Sequence, residues 1–330
     1  MTALWTSGEI ATATGGSVSA PFEVTGVTFD SREVQAGDLF VAMPGTVHDG
    51  HRFVDGAFAA GAAGALVAHP VSGPHVQVDD TFAALQALGR ASRQRSEAKV
   101  FGVTGSVGKT STKEALFTAL DRNCPGKVHR SVKSYNNHTG VPLSLARMPR
   151  DADYAVLEMG MNNRGEIAAL TGQVRPHVAL ITAIAPAHIE NLGSEEAIAD
   201  AKAEIFEGLE PDGVAIIPND TPHRDRLVKA ARRRAARTSR SRCGVSFGTT
   251  PMPPGSRPSK ISPLASAIAS SEPRFSMCAG AIAVMSARCG RTMRVSAAIS
   301  PGLFMPISST ANSASRGIRA RLSGTPVWLL

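Results

Sequence analysis

Val100-Phe101-Gly102-Val103-Thr104-Gly105-Ser106-Val107-Gly108-Lys109-Thr110-Ser111-Thr112 is the stretch that decides how the chain is read. The apolar run Val100 to Val103 reads as a buried strand. It breaks at Gly105 and Gly108, then enters Lys109-Thr110-Ser111-Thr112 at the head of a helical pattern with Ala115, Leu116, Ala119 and Leu120 on one face. Strand, glycine-rich loop, Lys-Thr and helix is the arrangement that cradles phosphates. Glycine lets backbone N–H groups turn inward with no Cβ in the way. The helix start adds its partial positive charge. The residues expected to line a bound nucleotide are Thr104, Gly105, Ser106, Val107, Gly108, Lys109, Thr110 and Ser111. Lys109 is placed to reach the β- and γ-phosphates, and the Thr110 hydroxyl to sit on Mg²⁺. ATP and Mg²⁺ are therefore the expected cofactors. One position departs from the general pattern: the glycine expected five residues before Gly108 is Val103.

On the N-terminal side, residues 22–46 read as two strands around a turn, with Leu39 to Ala42 a short buried strand closed by Pro44-Gly45. Asp49-Gly50-His51 precedes a helical pattern with Phe53, Ala57 and Ala60 on one face, and Ala65 to Ala68 is another strand. Residues 80–96 form a linking helix, with Phe82, Leu85 and Leu88 apolar and Arg90, Arg93 and Arg95 exposed. On the C-terminal side, Asp153 to Glu158 is a buried strand ending in a carboxylate, and Glu166 to Leu170 is helical up to about Gly172. His177 to Ile184 is a strand, a helix capped by Ser194 runs to about Leu209, and Gly213 to Ile217 is one more strand. Near-continuous apolar strands alternating with helices predict a mostly parallel sheet covered on both faces.

The net charge of +8 suggests a nucleic-acid partner until it is divided along the chain. Residues 1–230 hold 20 Lys and Arg against 26 Asp and Glu, whereas residues 231–330 hold 15 against the single acid Glu272. The basic character belongs to the last hundred residues, so it does not steer the function, and no nucleic acid is expected as partner. Those residues carry 18 serines and 9 prolines and sustain no helical or strand period. Three readings compete for them: a disordered basic tail, a nucleic-acid-binding arm, or a reading-frame error in a GC-rich coding sequence. Aromatic interleaving is too sparse for the second (Phe247, Phe275, Phe304, Trp328). The third accounts best for the missing acids. Cys124, Cys243, Cys278 and Cys289 show no C-x-x-C spacing. No signal segment or membrane-spanning run is apparent, and a cytoplasmic monomer is expected.

Beyond the loop, an ordered set of motifs resembles the Mur ligase family of ATP-dependent amide-forming enzymes. Thr104-Gly105-Ser106-Val107-Gly108-Lys109-Thr110 matches the family's loop, which an apolar residue precedes, so Val103 becomes a family feature. Ser134-Tyr135-Asn136-Asn137-His138-Thr139-Gly140-Val141-Pro142-Leu143 and Glu158-Met159-Gly160-Met161-Asn162-Asn163-Arg164-Gly165-Glu166-Ile167 resemble its next two signatures. Ala187-His188-Ile189-Glu190 and Ala201-Lys202-Ala203-Glu204-Ile205-Phe206 follow in order. At the front, Asp30-Ser31-Arg32, Gly37-Asp38-Leu39-Phe40 and Asp49-Gly50-His51 resemble the family's uridine-nucleotide-binding domain. The resemblance covers about two thirds of the chain. It implies an α/β protein with a small substrate-binding domain at 1–80, a linking helix at 81–97, a P-loop central domain at 98–237 left incomplete, and an irregular segment at 238–330. The motifs of the family's third domain are not found. The branch it resembles joins a UDP-N-acetylmuramoyl-tripeptide to D-alanyl-D-alanine, which are the implied partners.

The resemblance also assigns roles. Lys109, His188 and Lys202 are implied as catalytic, and Thr110, Glu158, His188 and Lys202 as metal ligands. In related ligases the lysine matching Lys202 is carbamylated, which needs a neutral amine. Asn137 is implied at the nucleotide, and Ser31 and Arg32 at the uridine diphosphate, where an arginine fork suits pyrophosphate. The residues alone leave alternatives open: a strand-end surface acid for Glu158, a structural histidine for His188, a solvated lysine for Lys202, and turn residues for Asn137, Ser31 and Arg32. Two other functions remain, nucleotide binding without ligation and a P-loop NTPase regulator. The regulator would need a base-reading Asn-Lys-x-Asp motif, which the chain lacks.

Overall fold

A capping box opens the first helix of the computed structural model, which describes residues 3–45, 49–187 and 189–234. Thr6 Oγ1 accepts the Glu9 N–H (3.3 Å) and the Glu9 carboxylate accepts the Thr6 N–H (2.9 Å). The strand β1 (Trp5–Thr6) therefore passes straight into α1 (Ser7–Thr14). Apolar periodicity points to no element here, although Thr6-x-x-Glu9 is the capping signature. The segment 238–330 and His188 lie outside the described residues.

The first sheet follows. Its strands are β2 (Ser17–Val18), then, after the short β3 (Glu23–Val24) that pairs antiparallel with β1, β4 (Gly26–Thr28) and β5 (Asp38–Val41). A 3₁₀ turn, Ser31–Glu33, lies between β4 and β5. A second 3₁₀ turn, Gly50–Phe53, leads into α2 (Val54–Ala59), β6 (Gly64–Val67) and β7 (His75–Gln77). The order is β2-β7-β6-β5-β4, parallel except at the edge strand β2. His51 joins the second turn to the sheet: Nδ1–H donates to Asp49 (2.7 Å) and Nε2 accepts the Ala68 N–H (2.8 Å).

The helix α3 (Thr81–Arg95) begins where Asp80 caps the Phe82 and Ala83 N–H groups. Arg90 is exposed as expected, but Arg93 is not. Its guanidinium is buried, donating to the carbonyls of Val174 (2.8 Å) and Arg175 (2.9 Å) and pairing with Glu210 (3.3 Å). The Arg95 guanidinium lies over the Trp5 ring, its Cζ 3.5 Å from the centroid. Helical period put these arginines on the polar face; packing on two sides of α3 turns that face inward.

The second sheet carries β8 (Lys99–Thr104), α4 (Lys109–Asp121), β9 (Val128–Arg130), α5 (Gly140–Ala146) and β10 (Tyr154–Glu158). It continues through α6 (Glu166–Val174), β11 (Val178–Ile181), α7 (Ile189–Leu192), α8 (Glu195–Ala203), β12 (Val214–Ile216) and α9 (Arg224–Arg234). Its order is β12-β11-β8-β10-β9, parallel throughout. Both faces are buried. Val100, Ala155, Leu157 and Ile181 enter one core, and Phe101, Val103, Val156 and Leu180 the other. That is why the strands read as continuous apolar runs rather than alternating ones. The helix α6 runs past Gly172 and stops at Arg175, which takes a left-handed φ of 45° ahead of Pro176. A Cβ on Gly89 of α3 would lie 3.0 Å from the Pro142 carbonyl, so glycine lets α5 pack closely against α3.

Candidate nucleotide and metal site

The strand β8 lies between β10 and β11, and chain direction around it diverges to both sides. In an open parallel sheet, loops at the carboxyl ends of the strands part at such a point and leave a crevice, the usual ligand position. The loop 105–108 occupies it. Gly105 (φ 147°) and Gly108 (φ 82°) hold conformations that favour glycine, and a Cβ on Gly105 would fall 1.9 Å from Thr182 Oγ1.

The loop is latched to the segment after β11. The Ser106 N–H donates to Ala183 O (2.9 Å), and Ser106 Oγ donates to Ala185 O (2.9 Å) while accepting the Ala185 N–H (3.0 Å). Thr182 Oγ1 donates to Val107 O (2.5 Å). The Ser106 hydroxyl thus serves the scaffold, leaving backbone groups to face a phosphate. Thr104 is buried, and its hydroxyl has no hydrogen-bond partner among the described residues. Val107 is exposed at the apex, and Ser111 is exposed on the first turn of α4.

Lys109 folds back so that Nζ donates to the Gly105 carbonyl at 2.8 Å. Burial holds its pKa below the ordinary lysine value, opposed by the nearby charge of Glu158. Thr110 Oγ1 donates to Glu158 Oε2 (2.9 Å), and Asn136 Nδ2 donates to Oε1 (2.9 Å). Glu158 is 1% exposed, so it is no surface acid. The carboxylate has a buried counter-cation, Lys113, whose Nζ lies 3.7 Å from Oε2 and 3.4 Å from Glu114 Oε1.

Lys202, on α8, is 2% exposed. Burial first and the charge of Lys109 second bring its pKa down to about 8. An amine so placed loses its proton far more readily than a solvated lysine, which suits the modification that the resemblance implies. Asn137 does not reach Glu158. Its Oδ1 accepts the N–H groups of Thr139 (3.2 Å) and Gly140 (2.8 Å) and the Thr139 hydroxyl (2.9 Å), closing the turn into α5. At the first sheet, Asp30 caps the Ser31–Glu33 turn and receives the Arg32 fork: Nε to Oδ1 (2.8 Å) and Nη2 to Oδ2 (2.6 Å). Those hydrogen bonds pull the Asp30 pKa down to about 2. Arg32 remains 85% exposed, open to a ligand on its far side.

Two residues of the Glu158 cluster were missed from sequence, Asn136 and Lys113. Asn136 neighbours Asn137, and spacing could not rank the pair. Lys113 stands four residues after Lys109, on the same helical face. The donors around Glu158 fit a hard cation: one carboxylate and one hydroxyl oxygen, side by side. Among the described residues no three His, Cys, Asp or Glu gather to cage a metal. So few protein oxygens suit Mg²⁺, which keeps waters and takes phosphate oxygens from its nucleotide.

Parallel sheet, glycine loop, helix-borne Lys-Thr and facing carboxylate define a nucleotide-binding P-loop protein. Comparison with known proteins gives the family: residues 103–244 match the Mur ligase middle domain, and residues 23–93 match the domain described as "Mur ligase family, catalytic domain". Together they span more than half of the chain, which belongs to the Mur ligase family, a family of ATP-dependent ligases. It is 43% identical over 204 residues to the UDP-N-acetylmuramoyl-tripeptide–D-alanyl-D-alanine ligase of Bacillus subtilis, covering 60% of this chain and 44% of that one. The Escherichia coli enzyme of that name is 41% identical over 203 residues (61% and 44%). A crystal structure of MurF from Acinetobacter baumannii superposes with a TM-score of 0.62 at 35% identity, covering 69% of this chain and 52% of that one. MurF ligase from Thermotoga maritima in complex with ADP gives 0.54 at 32% (64% and 49%). The chain spans about half the length of the relatives it matches.

Proposed function

We propose that this chain takes part in ATP-dependent joining of D-alanyl-D-alanine to a UDP-N-acetylmuramoyl-tripeptide, a step of peptidoglycan precursor synthesis. The γ-phosphoryl group of ATP passes to the terminal carboxylate of the tripeptide, giving an acyl phosphate and ADP. The dipeptide amine then attacks the acyl carbon, the C–O bond breaks, and inorganic phosphate leaves. Lys109 gives up the Gly105 carbonyl for the β- and γ-phosphate oxygens and offsets the charge that builds there. The N–H groups of the 105–108 loop, that of Ser106 excepted, orient the phosphates. Thr110 and Glu158 would hold Mg²⁺, which supplies further neutralisation of phosphate charge. We assign His188 and Lys202 to a second cation and to the acyl end of the substrate, and Asn137 to the nucleotide side. Ser31 and Arg32 take the uridine diphosphate, Arg32 through its exposed edge. A monomer in the cytoplasm, with no nucleic-acid partner, suits a nucleotide-linked substrate.

The observation that carries this reading is the meeting of Lys109, Thr110 and Glu158 in the crevice at the end of β8. The test is ADP and phosphate release with the UDP-linked tripeptide and D-alanyl-D-alanine supplied separately and together. Release that requires both supports ligation. Nucleotide binding with no release under any combination supports a binding protein without ligase activity, and release that ignores both points to a plain NTPase.

A further inference from the structure

The segment 131–136 crosses from the Glu158 cluster to the Ser31–Glu33 turn and is fastened at both ends. On the Glu158 side, Ser131 Oγ accepts the Glu158 N–H (3.1 Å), and Asn136 Nδ2 donates to the carboxylate (2.9 Å). The Asn136 carbonyl accepts the Gly160 N–H (2.7 Å), and a Cβ on Gly160 would lie 2.8 Å from the Asn136 amide group. The buried Lys113 donates from Nζ to the Lys133 carbonyl (2.7 Å). On the other side, the Lys133 ammonium pairs with the Glu33 carboxylate. The Tyr135 hydroxyl donates to Glu33 Oε2 (3.4 Å), and its ring packs on Phe29 with centroids 5.8 Å apart.

Lys133 itself has φ 52°, a left-handed conformation that a residue with a side chain rarely adopts. It persists because the carbonyl is held by Lys113 and the side chain by Glu33, and strain of this kind is found where surroundings over-determine a switch or clamp. Removing either hold frees the turn to relax, and Asn136 with it.

We propose that residues 131–136 are a strap that couples the uridine-nucleotide corner to the ATP site, with Lys133 as its positioning residue. This rests on the function proposed above. A diphosphate ordering the Ser31–Glu33 turn fixes Glu33, which fixes Lys133 and the turn at 132–135, which sets Asn136 against Glu158. The second ligand then meets a site already ordered and loses less freedom on binding. Coupling is reciprocal, so each ligand tightens the other by the same factor.

The test is titration of the full chain with ADP and Mg²⁺, with and without saturating UDP-N-acetylmuramoyl-tripeptide. The wild type is expected to bind ADP ~5-fold or more tightly when the tripeptide is present. Lys133→Met is expected to bind each ligand alone within about twofold of wild type and to lose the linkage, while Lys133→Arg restores it. Glu33→Gln breaks the pair from the other side and gives the same loss if Lys133→Met proves unstable. Independent binding in the wild type, or linkage that survives both Lys133→Met and Glu33→Gln, overturns the strap. A wild type that binds neither ligand overturns the functional reading itself, and the strap with it.

Discussion

Glu158 shows how one buried charge is made tolerable. A carboxylate at 1% exposure carries a large desolvation cost unless its oxygens are matched. Here Thr110 and Asn136 take one oxygen each and Lys113 supplies the opposite charge. Lys202 is buried and Lys109 half-buried, and the charge of Lys109 helps lower the pKa of Lys202. Lys109→Met is therefore expected to raise the Lys202 pKa from about 8 toward the ordinary lysine value, read by the pH dependence of amine acylation or by ¹³C NMR of labelled lysine. An unchanged Lys202 titration would contradict the electrostatic link. The sequence shows which of these residues carry charge but not which charges face one another. The meeting of Lys109, Thr110 and Glu158 was legible because the loop motif and a carboxylate at the end of the neighbouring strand were expected to share one ligand. Asn136 and Lys113 were not, since their partner is reached only through the sheet.

At the scale of elements, the strands and the loop followed from pattern, and the departures have physical causes. Continuous apolar runs marked β8, β10 and β11 because both sheet faces are covered. The arginines of α3 misled, since helical period tells one face from another but not how many faces meet protein. β9 was invisible as a strand: Val128-His129-Arg130 has no apolar run. His129 pairs its Nε2–H with the Ser144 carbonyl (2.7 Å), and His177 Nδ1 accepts the Val100 N–H (3.1 Å). Burial holds both pKa values at about 4, below the ordinary 6.5. The unfolded chain therefore binds more protons between those values, and stability falls as pH drops through that window. Urea denaturation at pH 7 and at pH 5 is expected to show a loss of up to about 2 kcal/mol per histidine, less where solvent reaches the rings. His129→Gln should flatten part of that slope; an equal slope in the variant would assign the acid sensitivity elsewhere.

At the scale of the molecule, two α/β layers share one helix among the described residues. α3 packs on α1 from the first sheet's side and on α5 and α6 from the second's. The strap at 131–136 adds a polar tie between the same two layers. Among the described residues no helix is long and apolar enough to cross a membrane. The class of fold was legible because alternating strands and helices leave few arrangements, with right-handed crossovers fixing the rest. We propose that the crevice at the end of β8 holds a Mg²⁺-bound adenine nucleotide through Lys109. Equilibrium binding of a fluorescent ADP analogue to the full chain, with Mg²⁺ and with EDTA, tests it most directly. One saturable site per chain is expected, weakened by EDTA and weakened ~100-fold or more by Lys109→Met in a variant that still folds. Binding that is non-saturable, or that Lys109→Met leaves untouched, would contradict it.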